Sequence, residues 1–233
     1  MNIYSISDLH LSLCRKKPMD IFGDEWINHV EKIRKNWQLL VGNEDVVIIA
    51  GDISWAINLK EAERDLRFIE NLNGIKILLR GNHDYWWPSS KKFIDFLSVN
   101  KFNSINFIKN NFIELEKYLI CGTRGWEIPN DDSTESDHKI YKRELIRLEN
   151  SINLAKKQRD NKDIILMLHY PPFDKNNKDS GFIKIIEKYS IEKIIYGHIH
   201  GNNIEEFRKI KFDKFETFLT SADSIGFKPI KIA

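Results

Sequence analysis

Five short apolar runs constrain this chain more than any other feature, because each ends abruptly in a polar turn and most are separated by segments of helical period. They are Ile3 to Ser7, Val46 to Ala50, Ile75 to Leu79, Ile164 to Leu168 and Ile194 to Tyr196. Their richness in Ile, Val and Leu suits strands buried on both faces. The helical segments run roughly from Glu25 to Leu40, Leu59 to Asn71 and His138 to Gln158. Such alternation predicts an α/β fold built on βαβ units. Phe112 to Cys121 and Asn203 to Thr220 read instead as strand pairs, so the sheets are expected to be mixed. Pro129 to Asp137 reads as a surface loop. With 233 residues, 42% of them hydrophobic, the chain is expected to form a single domain over residues 1–233.

The polar turns carry the second constraint. Asp8 and His10 follow the first run, Gly51 and Asp52 the second, Gly81 to Asp84 the third, His169 the fourth and Gly197 to His200 the fifth. In a parallel α/β sheet the strand C-termini lie along one edge, where ligands bind. Five separated stretches therefore deliver Asp, His and Asn to one place. Five of the seven histidines fall in these turns, and the other two, His29 and His138, read as solvated helix or loop residues. Several imidazoles, carboxylates and an amide oxygen suit borderline divalent metals such as Mn, Fe or Zn better than Mg or Ca. No thiolate joins them, which argues against a closed structural zinc site. The glycines before the ligands let the chain leave each strand sharply, with permissive backbone angles.

Taken in order, D-L-H at Asp8 to His10, G-D at Gly51 to Asp52, G-N-H-D at Gly81 to Asp84, H-Y-P-P at His169 to Pro172 and G-H-I-H at Gly197 to His200 resemble the calcineurin-like metallophosphoesterase superfamily. That resemblance implies two mixed β-sheets sandwiched between helices in four layers. It also implies two divalent metal ions, Mn first with Fe or Zn as alternatives. Asp8, His10 and His200 would bind the first, Asn82, His169 and His198 the second, and Asp52 would bridge them. The implied activity is hydrolysis of a phosphomonoester or phosphodiester by a hydroxide held between the metals. His83, beside Asn82 but not a ligand in the pattern, would contact the phosphate or protonate the leaving oxygen and is the general-acid candidate, and Asp84 would orient its ring. Two other readings stay open: a catalytically silent scaffold of the same fold that binds protein, and a nuclease.

Other residues bear on the substrate. Trp55, Trp86 and Trp87 lie just beyond Asp52 and Asp84 and form either an aromatic wall for a nucleobase or apolar leaving group, or core covering the sheet edge. Arg124, between glycines in C-G-T-R-G-W, either neutralises a phosphate oxygen or pairs with a surface carboxylate. Arg80 is expected to support its loop. The segment between His138 and Asp160 is either a partial lid or a solvated packing helix. After Asp52 the chain reads I-S-W-A-I-N, without the D-R-G of the phosphoprotein phosphatase branch.

Lys plus Arg number 36 against 34 Asp plus Glu, so no bulk positive field draws the surface onto nucleic acid or lipid. A small phosphorylated substrate is the expected partner; Lys91 and Lys92 alone do not make a nucleic-acid track. Met1 to His10 lacks the charged and apolar regions of a secretion signal, and no run is long enough to span a membrane. Two cysteines, Cys14 and Cys121, show no zinc or redox spacing. These features give the expectation of a cytoplasmic protein with reduced thiols.

Overall fold

The computed structural model describes residues 1–15, 17–157, 162–175 and 179–233. Two five-stranded sheets lie face to face. Sheet I contains β1 (Ile3–Ser5), β2 (Val46–Ile49), β3 (Ile75–Leu79), β4 (Ile105–Ile108) and β10 (Ile230–Lys231), in the order β10-β1-β2-β3-β4. Sheet II contains β5 (Phe112–Glu114), β6 (Tyr118–Thr123), β7 (Asp163–Leu168), β8 (Lys193–Tyr196) and β9 (Glu216–Leu219), in sequence order. Pairing is parallel except for β1 with β10 and β5 with β6, so both sheets are mixed as expected.

Side-chain alternation along the strands builds the layers. Val46, Ile48, Ile77 and Leu79 of sheet I meet Ile120, Ile165, Met167 and Ile195 of sheet II in a core between the sheets. Val47, Ile49 and Leu78 face the opposite way, against α1 (His29–Leu40), α2 (Leu59–Glu70) and α3 (Ser90–Val99). Leu119, Cys121, Leu166 and Tyr196 likewise face α4 (Glu135–Lys156), α5 (Gly181–Lys188) and α6 (Ile204–Lys209). Both faces of the central strands are therefore apolar, which is why they read as continuous rather than alternating runs. Among the described residues no helix is long and apolar enough to cross a membrane.

Three expectations need correction. Asn203 to Thr220 is not a strand pair: Ile204–Lys209 is helical and only Glu216–Leu219 is a strand, parallel to β8. Acidic Glu205 and Glu206 at the helix start, basic Arg208 and Lys209 at its end and a Glu205–Arg208 pair favour that turn of helix. Helix α1 starts at His29 rather than near Glu25, because Ile27 is extended and Asn28 is left-handed at φ 56°. The supposed loop Pro129 to Asp137 stops at Thr134, whose hydroxyl caps the Asp137 amide while the Asp137 carboxylate caps Thr134 in return. Helix α4 then packs on sheet II through Leu148, Ile152 and Ala155, so it is a packing helix; Gln158 and Asp160 lie outside the described residues.

Lys76 is fully buried at the start of β3, where its ammonium donates to the carbonyls of Glu70 (3.1 Å), Leu72 (2.6 Å) and Gly74 (2.9 Å). A cation there completes the C-terminal end of α2, whose last carbonyls lack helical partners.

Candidate metal centre

The C-terminal ends of β1, β2, β3, β7 and β8 converge at one edge of the double sheet. The two sheets are joined there: the Ser7 amide donates to the Thr220 carbonyl at 2.7 Å, the Ala222 amide to the Ser7 carbonyl at 2.9 Å, and the two hydroxyls of Ser7 and Thr220 are 2.7 Å apart. Asp8, His10, Asp52 and His198 leave their strands with φ of 55°, 45°, 50° and 70°. For residues with a Cβ this left-handed region is strained, and such strain clusters at functional sites.

The glycines act in two ways, only one of which the sequence suggests. Gly51 has φ 102°, which favours glycine. What Gly81 and Gly197 provide is space: a Cβ on Gly81 would collide with the Asp52 carboxylate, and one on Gly197 with that of Asp8.

All seven residues of the resemblance-derived ligand set come together here. His169 Nε2 is 2.6 Å and His198 Nδ1 3.1 Å from Asn82 Oδ1. His200 Nε2 is 3.2 Å from Asp8 Oδ1. Asp52 lies between the two sets, with His169 Nε2 at 3.5 Å from one carboxylate oxygen and His10 Nε2 at 3.9 Å from the other. Asp8, His10 and His200 offer ligand atoms within 4.8 Å of one another, and so do Asp8, Asp52 and His169.

Each carboxylate is fixed by amides from another loop. The His198 amide donates to Asp8 at 3.0 Å and the His83 amide to Asp52 at 2.8 Å. Asp84 accepts from the amides of Ile53 (2.9 Å), Ser54 (3.1 Å) and Gly81 (2.8 Å) and from the Trp86 indole (3.0 Å). It therefore ties the Asp52 loop to the Gly81 loop and does not orient the His83 ring, contrary to the reading from sequence. His83 Nδ1 has no hydrogen-bond partner among the described residues, and Nε2 is 3.9 Å from Asp52.

The electrostatics suit a cation. Burial, then the charge of Asp8, raises Asp52 far above the carboxylate range. Burial followed by Asp52 pushes Asp84 up to about 7. Burial works to raise Asp8 as well, but the charge and hydrogen bond of His200 outweigh it and hold Asp8 low. Burial, then His169, brings His198 down to about 3, and burial also lowers His169 and His10. Neutral His10, His169 and His198 are in the form that ligates a metal, whereas His200, which burial works to lower, is pushed up to about 10 by Asp8 and Asp223 and would give up its proton to a cation beside Asp8; the same cation would favour the ionised form of Asp52. His10 turns Nε2 toward Asp52, and its Nδ1 is buried without a hydrogen-bond partner among the described residues. The Asp and His groups can thus hold metal.

Two groups that sequence reading missed complete the surroundings. Asp223 Oδ1 is 2.8 Å from His200 Nδ1, which turns Nε2 toward Asp8. It follows β9 as the other acidic groups follow their strands, so the strand-end pattern extends to it. The other is Trp26, brought to the site by the break before α1. Together with His10, Trp55, His83 and His200 it lines a cavity of about 310 Å³. Trp55 stacks on His10 at 4.9 Å. Trp86 and Trp87 are instead buried core against Phe93, so Trp86 is not part of a substrate wall. His29 is buried beside Trp26 rather than solvated. Arg124 does not line this cavity; its guanidinium sits over Trp126 and lines a neighbouring one.

The gene 66 protein of Mycobacterium phage L5 is 35% identical over 90 residues, 39% of this chain and 43% of that protein. An uncharacterized protein of Methanocaldococcus jannaschii is 30% identical over 110 residues, 46% of this chain and 56% of that protein. The match thus spans about half the length of these curated relatives. In fold, the chain is similar to the phosphopantetheinyl hydrolase of Mycobacterium tuberculosis, with a TM-score of 0.58, 12% identity and coverage of 99% of this chain and 95% of that one. The sequence profile of the calcineurin-like phosphoesterases matches residues 1–202, and the chain belongs to that family.

Proposed function

We propose that this chain hydrolyses phosphate esters at two divalent cations, Mn first and Fe or Zn as alternatives. Asp8, His10 and His200 would hold one, Asn82, His169 and His198 the other, with Asp52 shared. The observation that carries this is Asp52 itself, a buried carboxylate lying 3.5 Å from His169 of one set and 3.9 Å from His10 of the other. Bound cations would supply the charge that stabilises phosphoryl oxygens and would lower the pKa of water.

The chain's own residues do the rest. The His83 ring is partly open to the cavity and is the proton donor for the leaving oxygen; its backbone amide meanwhile fixes the shared carboxylate. Asp84 is a positioning residue, acting through the Gly81 amide on Asn82 and His83. Trp55 and Trp26, with Met19 and Phe22, give the cavity an apolar side suited to a flat or apolar leaving group. A volume near the lower end of small-ligand sites favours a small phosphorylated substrate over a nucleic-acid duplex.

Metal analysis of the purified protein, with assays on p-nitrophenyl phosphate and bis-p-nitrophenyl phosphate, tests the reading. Bound transition metal and metal-stimulated turnover on either ester is the expected result. No bound metal and no stimulated turnover would overturn it in favour of a silent scaffold.

A further inference from the structure

The C-terminal edge that carries the metal centre continues one strand further, to the ends of β3, β4 and β6. A second cavity of about 220 Å³ opens there, lined by Arg80, Lys109, Arg124, Arg143, Arg147 and the single carboxylate Glu144 among others. No described residue lines both it and the metal cavity.

Glu144 is 1% exposed and already committed. It pairs with Arg147 at 2.7 Å and Arg143 at 3.3 Å, and accepts the Thr123 hydroxyl at 2.5 Å. The remaining cations have no such partner. Among the described residues neither Arg80 nor Arg124 has a carboxylate within ion-pair distance, and Arg80 Nε is buried with no hydrogen-bond acceptor. Among the described residues the Lys109 ammonium donates to the Pro88 carbonyl, at 2.9 Å. Buried donors without acceptors are unusual in folded proteins, and guanidinium forks match planar or tetrahedral oxyanions. Burial lowers Arg124, and Arg80 adds to that fall while Glu144 opposes it; burial lowers Lys109 too, followed by Arg80 and Arg147.

We propose that this cavity is a binding site for a phosphate-sized oxyanion, centred on Arg80 and Arg124. Its volume leaves room for an oxyanion and its waters rather than a nucleotide. Backbone links it to the metal centre: Arg80 directly precedes Gly81 and Asn82, and the Arg124 carbonyl accepts the amides of His169 at 3.0 Å and Tyr170 at 2.9 Å. The oxyanion is either a second anionic group on the substrate, a source that rests on the phosphoesterase reading, or free inorganic phosphate, which does not.

The test is calorimetric titration of the full, metal-loaded chain with sulfate, against chloride at matched ionic strength, with Tm read in parallel. Arg80→Gln and Arg124→Gln are each expected to weaken sulfate binding at least tenfold and to abolish the sulfate-dependent rise in Tm. Asp52→Asn is expected to keep both while losing turnover. In sulfate-free buffer either arginine variant should match or exceed the wild-type Tm, since a like charge is removed; this also checks that the variants fold. Equal sulfate binding by both arginine variants, or loss of binding only in Asp52→Asn, would overturn the proposal. Competition by sulfate against a substrate carrying a second phosphate, but not against p-nitrophenyl phosphate, assigns the site to substrate. An equal change in rate on both assigns it to free phosphate. Absence of turnover with sulfate binding intact would refute the phosphoesterase reading alone.

Discussion

Replacing Asp84 by Asn tests whether the loops of this site are set by a buried carboxylate. Oδ1 takes three of its four hydrogen bonds, from Ile53, Ser54 and the Trp86 indole, and Oδ2 takes the fourth from the Gly81 amide at 2.8 Å. An asparagine can keep the three, but its amide nitrogen then faces the Gly81 N–H, donor against donor. Losing that charge-assisted bond costs roughly 1.5–3 kcal/mol. Relief of a buried charge, already disfavoured enough to push Asp84 up to about 7, offsets part of it. The expected net loss is about 1–2 kcal/mol, or roughly 2–8 °C in Tm for a chain of this size. The effect on rate should be larger than this implies, because Gly81 sets Asn82 and His83: about 10–100-fold in kcat or in metal affinity. Scanning calorimetry, metal analysis and a pH–rate profile read the three quantities. A lowered Tm with wild-type rate and metal content would refute the loop-setting role. An unchanged maximal rate with a displaced pH profile would show instead that Asp84 acts on the His83 ring.

Three further outcomes are expected. His83→Ala should lower the rate by about 10²–10⁴-fold with metal retained, whereas Asp52→Ala should lose metal and rate together; elemental analysis separates them, and loss of metal in His83→Ala contradicts the division of roles. Trp86→Ala should destabilise by about 3–5 kcal/mol in urea and leave relative rates on nucleotide and aryl phosphates unchanged, while Trp55→Ala should alter those relative rates. Lys76→Met should strip three carbonyls at the end of α2 of their donor and cost about 2–4 kcal/mol, measured by chemical denaturation, with little change in kcat.

The parts of the structure legible in the sequence were those where one physical cause dominated. Strands buried on both faces stand out as apolar runs, and the residues just past them are placed by sheet topology, so the seven candidate ligands converge as expected. Strand β4 was missed because Asn106 is exposed and interrupts the apolar run, and β10 because it is two residues long. Asn203 to Thr220 was misread because a six-residue helix with one buried side chain, Phe207, has too little periodicity to be seen. Tertiary context decided the tryptophans. Trp86 is drawn inward by Asp84 and Phe93, whereas Trp26 reaches the cavity only because Asn28 breaks the chain's approach to α1. Arg124 follows a strand as its sequence position suggests, but that strand, β6, opens on the neighbouring cavity rather than on the metal centre.

The order in which the chain lays down its sheets divides the centre between two stretches of sequence. The first four strands of sheet I come from residues 3–108 and all of sheet II from residues 112–219, with the exposed pair Lys109 and Asn110 between them. A chain cut at that turn would leave Asp8, His10, Asp52 and Asn82 on one fragment and His169, His198 and His200 on the other. The second fragment also carries β10, the strand that pairs with β1 of the first. Neither piece alone would carry all the residues of either candidate set, so reassembly of the two halves is expected to tighten when a divalent cation is added, and fragment complementation with and without metal would read it.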